Sequence, residues 1–453
     1  MKRELLIIFS CFFWWNAFSQ NEWTLDKCLN HAQQNNLTIK QAYLNTELSK
    51  KNLFQSKMQL LPSLNGNVSD NTNFGRNIDP VTNQITVDRI RTNSFGLSTS
   101  VTLFNGFQRI NSIRKSNFDY LATQYDAQKV ANDISVNIVT AYLQLLYYED
   151  LILVSQQKVE ISESQVERIR QKVEVGSLPR GDLLNTEAQK AQEELQLINA
   201  ESQGQIARLN LQQLLDIPAE ESFKVADLDQ EPPSVFQAMN TNEVYQQAIQ
   251  TMPEVQSAYH KLQSSERSLA IAQGGRSPQL SLSASVGTAY SSASKRLVYD
   301  SLALPLTPTY EDFPFDDQLN ENLNQSVSLS LSIPIFNGWR TNTAISQAKI
   351  NQLQSQFSFQ ETKNNLRKTI EQAYNDALTA HKQFLASRKT VDFQSESFQY
   401  SEEKYNLELI TSYEYNNAKN TLFKAQTDLL QAKYDYMFKI KMLDFYLGKP
   451  LTF

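Results

Sequence analysis

The stretch SVTLFNGFQR (Ser100–Arg109) returns as SIPIFNGWR (Ser332–Arg340). Each carries Phe-Asn-Gly at the end of an alternating segment. Each is followed by a long Gln- and Ala-rich run almost free of glycine. Phe104 and Phe336 lie 232 positions apart, and that spacing holds downstream without a gap. Ile113 meets Ile345, Leu121 meets Leu353, and Ala141-Tyr142 meets Ala373-Tyr374. Asp182 meets Glu414, Asn185 meets Asn417, and Pro218 meets Pro450. Upstream of the motif the spacing is 216: Ala42-Tyr43 meets Ala258-Tyr259, Leu53 meets Leu269, and Pro62 meets Pro278. The 16 extra residues fall between Pro278 and Phe336. The chain therefore reads as a tandem repeat, with a first repeat over 20–237 and a second over 238–453, joined by a Pro- and acid-containing linker around Asp227 to Ser234.

Composition narrows the class. Only 12 Gly and 13 Pro occur in 453 residues, which predicts long uninterrupted helices. A net charge of −6 argues against a nucleic-acid partner, since a phosphate backbone selects basic surfaces. Lys2, Arg3, the apolar run from Leu5 and Ala17-Phe18-Ser19 read as a signal peptide over 1–19. Simple cleavage is preferred over lipidation of Cys11. It leaves Cys28 as the only cysteine, so no disulfide within the chain is possible. No later stretch approaches twenty apolar residues, which leaves release or a strand-built membrane anchor.

The alternating segments decide between those. Phe95, Leu97, Val101 and Leu103 oppose Ser94, Gly96, Ser98, Ser100 and Thr102. Leu280, Leu282, Ala284 and Val286 oppose Ser281, Ser283, Ser285 and Gly287. Val327, Leu329, Leu331, Ile333 and Ile335 oppose Ser326, Ser328, Ser330 and Ser332. A weaker fourth strand is read near Ser63 to Phe74. Apolar residues on one face and small uncharged ones on the other fit a transmembrane barrel better than a soluble sheet. Phe107 to Val175 and Arg340 to about Leu407 read as single helices of roughly 100 Å at about 1.5 Å per residue. Thr24 to Leu60 and Asp182 to Leu215 read as helices about half as long. Narrow apolar stripes among Ala, Gln, Asn and Ser suit a hollow helical wall. Four strands fall short of the smallest membrane barrel, so the chain must assemble with other copies.

These features together resemble the TolC-like outer-membrane efflux protein family, the outer-membrane component of tripartite pumps. The resemblance rests on the repeat and its strand pairs, on Phe104-Asn105-Gly106 and Phe336-Asn337-Gly338, and on Val175-Gly176-Ser177 followed by Asp182-Leu183-Leu184. It covers nearly the whole mature chain. It implies a mainly α fold with inserted β. Four strands per chain would complete a homotrimeric 12-stranded β-barrel in outer-membrane lipid, continuous with a periplasmic α-helical barrel. The implied function is a passive duct of an efflux or type I secretion system, docked on a periplasmic adaptor and an inner-membrane pump, with no cofactor. The alternative is an adhesin-like envelope protein using the Ser291 to Asn322 loop.

The resemblance also assigns candidate sites. Val175, Gly176, Ser177 and Asp182 would form the adaptor-contacting tip, with Gly176 ending its helix in a left-handed conformation. Its repeat mate is Glu408, a departure from that pattern. Acids at the second tip would narrow a periplasmic aperture. Glu414 takes the first such position, the second falls on neutral Asn417, and the expected basic partner falls on Ile410. Thr411-Ser412-Tyr413-Glu414 equally reads as a capping box. Asn105-Gly106 and Asn337-Gly338 read as strand-to-helix turns. His31, His260 and His381 are dispersed, with no metal-spaced cluster or nucleophile motif, so no enzyme is expected.

Overall fold

The computed structural model describes residues 22–78, 83, 85–86, 89–220, 223–228, 231–236, 239–299 and 308–451. The signal segment with Cys11, part of the linker and residues 300–307 of the 291–322 loop lie outside them. The first half holds α1 (Leu25–Asn35), α2 (Leu37–Met58), β1 (Ser63–Asn73), β2 (Asn77–Ile78), β3 (Ile85–Thr86), β4 (Ile90–Phe104), α3 (Gln108–Glu174) and α4 (Arg180–Leu214). The second holds α5 (Thr241–Thr251), α6 (Pro253–Gly274), β5 (Gln279–Ser291), β6 (Lys295–Tyr299), β7 (Pro308–Asp312), α7 (Phe315–Glu321), β8 (Asn324–Ser332), α8 (Arg340–Asn406) and α9 (Ser412–Tyr446). Helices of 11, 22, 67 and 35 residues occur in that order in both halves. Left-handed backbone recurs too: Gly106, Phe107, Gly176 and Asp216 are followed 232 residues later by Gly338, Trp339, Glu408 and Gly448.

The segment from Thr24 to Leu60 is two helices, not one. Asn36 breaks it: its Oδ1 accepts from the N–H of Thr38 (3.0 Å) and Ile39 (3.2 Å), and its amide donates to the Leu214 carbonyl at 2.9 Å. An Asn that caps the next helix competes with continuing the first. In the second half Pro253 starts α6 and holds Met252 extended (ψ 123°).

The chain forms two compact units, and neither follows the repeat boundary. The helical unit comprises residues 1–46, 124–257 and 360–453. Its largest core gathers Leu25, Cys28, Ile138, Tyr142, Leu146, Leu211 and Tyr434. The Tyr142 hydroxyl donates to the carbonyls of Trp23 (3.2 Å) and Ala226 (2.5 Å), stitching the linker to the start of the chain. Cys28 is fully buried, and burial pushes its thiol up to about 12. α3 contains a window apolar enough by length and composition to cross a membrane, although no stretch approaches twenty consecutive apolar residues. Ile138, Val139, Leu143, Leu145 and Leu146 of α3 account for apolar character through packing, since they lie in this core.

The sheet unit comprises 47–123 and 258–359. Its main sheet is antiparallel, in the order β1-β4-β5-β8. The register sorts the faces. Ser63, Ser100, Ser283 and Ser328 form one row, and Asn65, Ser98, Ser285 and Ser326 the next. Hydroxyls pair across this face, as in Ser69–Ser94 (2.6 Å) and Ser285–Ser326 (2.8 Å). The opposite face carries Leu64, Val68, Leu97, Val327, Leu329 and Leu331, all more than half exposed. Two strand expectations change. The register shifts between Thr102 and Phe104, so Leu103 sits in a bulge and not in the alternation. β8 ends at Ser332, leaving Ile333 and Ile335 beyond it, because Pro334 has no N–H to donate to a ladder.

The repeated motif turns each strand into its long helix. Arg109 donates to the Gln59 carbonyl and to Thr102 Oγ1 (3.0 Å), tying α2, β4 and α3. Asn105 Oδ1 accepts from the Arg109 N–H at 3.4 Å, and the Asn337 amide donates to Thr341 Oγ1 at 2.5 Å. The two glycines differ in surroundings. A Cβ on Gly106 would lie 2.5 Å from the Gly274 carbonyl, whereas Gly338 has nothing within 4 Å. Within the 291–322 loop, β6 and β7 form a hairpin and α7 is held by buried Gln318. The Gln318 amide donates to the carbonyls of Ser291 (3.1 Å) and Phe313 (2.7 Å) and accepts from the Ser291 N–H at 2.9 Å.

The paired hairpin tips as candidate functional site

Within the helical unit, residues 124–174 of α3 form one helical hairpin with α4, and residues 360–406 of α8 form another with α9. At the first tip, Ser177 N–H donates to the Lys172 carbonyl (2.8 Å) and Gly176 N–H to the Val173 carbonyl (3.0 Å). With Gly176 at φ +74°, this is a Schellman ending. At the second tip Leu409 N–H donates to Lys404 (2.8 Å) and Glu408 N–H to Tyr405 (3.1 Å), with Glu408 at φ +61°. The expected departure is thus one of residue type only: the backbone is the same. Glutamate tolerates the left-handed region poorly. Here its carboxylate meets Lys172 Nζ at 2.6 Å, which holds it below the usual carboxylate range.

Glu414 belongs to a complete capping box. Its N–H donates to Thr411 Oγ1 (3.3 Å), and its Oε2 accepts from the Thr411 N–H (2.8 Å). The Thr411 N–H and the Thr411 hydroxyl (2.9 Å), both donating to that carboxylate, hold it below the ordinary range. On the first hairpin Asp182 lies in the opening turn of α4, where a negative charge suits the helix dipole.

A cavity of about 810 Å³ separates the α4 and α9 sides of the tips. Ser177, Asp182, Glu408, Ile410 and Asn417 line it, together with Lys172, Asn185 and Thr186. Val175, Gly176 and Glu414 are not among its lining residues. Of the candidate aperture residues, Glu408 and Asn417 therefore share one space, and Glu414 stays on its cap. The cation at this site is Lys172, from the first hairpin, not a residue at 410. Sequence spacing missed it because the pair is 236 residues apart. Arg168 adds a second tie, donating to Asn406 Oδ1 at 2.5 Å, while Tyr405 stacks on Tyr415 at 4.6 Å. Among the described residues no three His, Cys, Asp or Glu side chains gather as a metal site.

This fold has known counterparts. CusC superposes with a TM-score of 0.78 at 18% identity, covering 94% of this chain and 92% of CusC. The outer membrane efflux protein BepC of Brucella suis is 20% identical over 412 residues, 91% of this chain and 82% of BepC. The alkaline protease secretion protein AprF of Pseudomonas aeruginosa is 24% identical over 366 residues, 78% of this chain and 69% of AprF. The model of the outer membrane efflux protein family matches residues 28–216 and 244–449. With two matches that together span most of its length, the chain belongs to the outer membrane efflux protein family and is an efflux channel of the outer membrane.

Proposed function

We propose that three copies close a 12-stranded barrel in outer-membrane lipid, continuous with a periplasmic helical duct. The duct passively carries cargo delivered by an inner-membrane pump through a periplasmic adaptor, and catalyses nothing. Residues 1–19 are its signal peptide, and 20–237 and 238–453 its two repeats. Val175, Gly176, Ser177 and Asp182 face the adaptor, and Glu408 and Asn417 line the periplasmic aperture, with Glu414 beside it on its cap. Asn105-Gly106 and Asn337-Gly338 serve as the turns joining barrel to duct.

The observation that carries this reading is the register of the sheet. β1 pairs with β4 through Ser63–Ser100 and Leu64–Thr99. β5 pairs with β8 through Gln279–Ser332 and Leu280–Leu331, the same pairs advanced by 216 and 232. The repeat thus preserves strand pairing residue by residue. The β4–β5 pairs, Ser98–Ser285 and Ser100–Ser283, have no second counterpart within one chain. Moved by the same steps they become Ser330 with Ser69 and Ser332 with Asn67 of the next copy. Both partners lie on the small-residue face, so the predicted seam continues the serine rows. Closure would satisfy the outer edges of β1 and β8, which lipid cannot.

Cysteine cross-linking tests this. Ser69→Cys/Ser330→Cys should give disulfide-linked dimers and trimers in membranes, with buried Cys28 silent. Ser69→Cys/Leu329→Cys should not, since a one-residue step puts the thiols on opposite faces. A stable folded monomer in native mass spectrometry would sink the assembly.

A further inference from the structure

We propose that α7 is a ledge at the outer boundary of the membrane. It rests on the lipid-facing side of the sheet, level with the headgroups of the outer leaflet, and the apolar groove under it seats acyl chains of that leaflet. This rests on the barrel proposed above and goes beyond it by giving the insert of the second repeat a partner, the lipid surface.

The register decides which side α7 lies on. Val68, Phe95 and Thr288 stand in one row of the sheet, and Gly66, Leu97 and Val286 in the next toward the long helices. Both rows are on the face opposite the serines. The Thr288 hydroxyl donates to the Leu319 carbonyl of α7 at 2.7 Å. The ring of Phe315, at the start of α7, packs on Tyr290 and Phe95, with centroids 5.0 and 6.5 Å apart. Leu323, just beyond α7, joins Gly66, Val68, Phe95, Leu97 and Val286 in lining a groove of about 310 Å³. Gln318 fixes the helix there through its bonds to Ser291 at the end of β5. α7 therefore covers the apolar face, not the serine face that would line the pore. Among the described residues the first repeat has no helix between β1 and β4, so the ledge is particular to the second.

The chemistry of this face changes at the level of α7. Val68 and Leu97 are more than half exposed. One row farther out comes Asp70, paired with Arg91 at 2.8 Å. α7 itself exposes Asp316, Asn320 and Glu321. Exposed carboxylates are excluded from hydrocarbon, while a bare Leu and Val face is unfavourable in water. Two residues along a strand span about 7 Å, so the crossing from one medium to the other is confined to roughly that height. Phe315 and Leu323 add exposed apolar side chains at the two ends of the ledge. Apolar edges beside charged ones suit the headgroup–acyl boundary. The groove is continuous with the exposed apolar face, so the lipid chains that cover the face also fill the groove.

Spin labels test the depth in the full-length oligomer, reconstituted in phosphatidylcholine vesicles. Leu97→Cys, Leu323→Cys and Asn320→Cys each take one nitroxide, with buried Cys28 unlabelled. Relaxation by molecular oxygen, which concentrates in hydrocarbon, is compared with relaxation by a water-soluble nickel chelate. Oxygen should dominate several-fold at 97 and 323, and the two should be near parity at 320. Nickel dominating at both 323 and 320, with 97 still in lipid, would lift α7 clear of the membrane and overturn the proposal. Oxygen dominating at 320 as strongly as at 97 would sink α7 into hydrocarbon and overturn it equally. Nickel dominating at 97 would instead defeat the barrel itself. A second arm needs no variant. On the native protein an aryl diazirine dissolved in the bilayer should label residues 315–323 together with 95–97. Labelling of 95–97 without 315–323 would refute the ledge.

Discussion

Gly176 and Glu408 show one backbone need met by two residue types. Both sit at the left-handed position that ends a 67-residue helix. Glycine accepts it without strain, while Glu408 is held by Lys172 across the cavity. At the neighbouring cap, Thr411→Ala should lower stability by about 1 kcal/mol in thermal or denaturant unfolding, while Glu414→Gln keeps the acceptor and changes it little. The carboxyls of Glu414 and Glu408 are both depressed in the folded state. Their contribution is present above the ordinary glutamate range and lost as pH falls through the lower folded values. Exchange at 408–414 should therefore be the first in the tips to accelerate on acidification. At the motif turns, Gly338→Ala adds a strained φ and should cost about 1 kcal/mol, whereas Gly106→Ala also drives a methyl into the Gly274 carbonyl and should cost more. Heat stability of the two assembled variants would rank them, and equal losses would refute the packing argument.

At the scale of the strands, the register separates two environments one residue apart. Leu97 lies mid-strand on the exposed apolar face, and Ser98 pairs with Asn65 and Ser285 on the other. Leu97→Arg should destabilise the membrane-inserted barrel by about 2–4 kcal/mol. Ser98→Arg should assemble normally and change conductance, because it faces water. Heat-modifiable gel mobility of folded barrels would score the first and bilayer recordings the second. Equal assembly of the two would mean that the apolar face does not meet lipid. Among the helices, breaks occur where a local competitor exists: Asn36 between α1 and α2, Pro253 between α5 and α6. α3 and α8 contain no proline, and they run on past their asparagines.

For the whole molecule, the two compact units cut across the two repeats, since each unit takes segments from both. Neither repeat is therefore expected to fold alone. Expression of residues 20–237 without the rest should give aggregation or proteolysis and no compact monomer, assessed by circular dichroism and limited digestion. A folded, soluble half would contradict this. Processing belongs to the same scale. Intact-mass analysis of the membrane-extracted protein should find a chain starting at Gln20, and a lipid adduct on Cys11 would refute simple cleavage.

The amino-acid sequence alone determined the repeat, the helix-and-strand composition, the alternation of serine with leucine and valine, and the membership those features imply. These are local or periodic properties, written in neighbouring residues and in one constant spacing. The tertiary structure decided what depends on residues brought together from afar. It put Leu103 in a bulge, because register is set by the partner strand. It broke Thr24–Leu60 at Asn36, whose side chain also reaches the carbonyl of Leu214. It gave Glu408 the cation that position 410 lacks, from Lys172 on another helix. It buried Lys419 against Glu193, two residues that any reading of sequence alone would leave on solvated helix faces. Spacing along a chain records periodicity, but the pairing of charges depends on distances in space, and those exist only once the hairpins have packed.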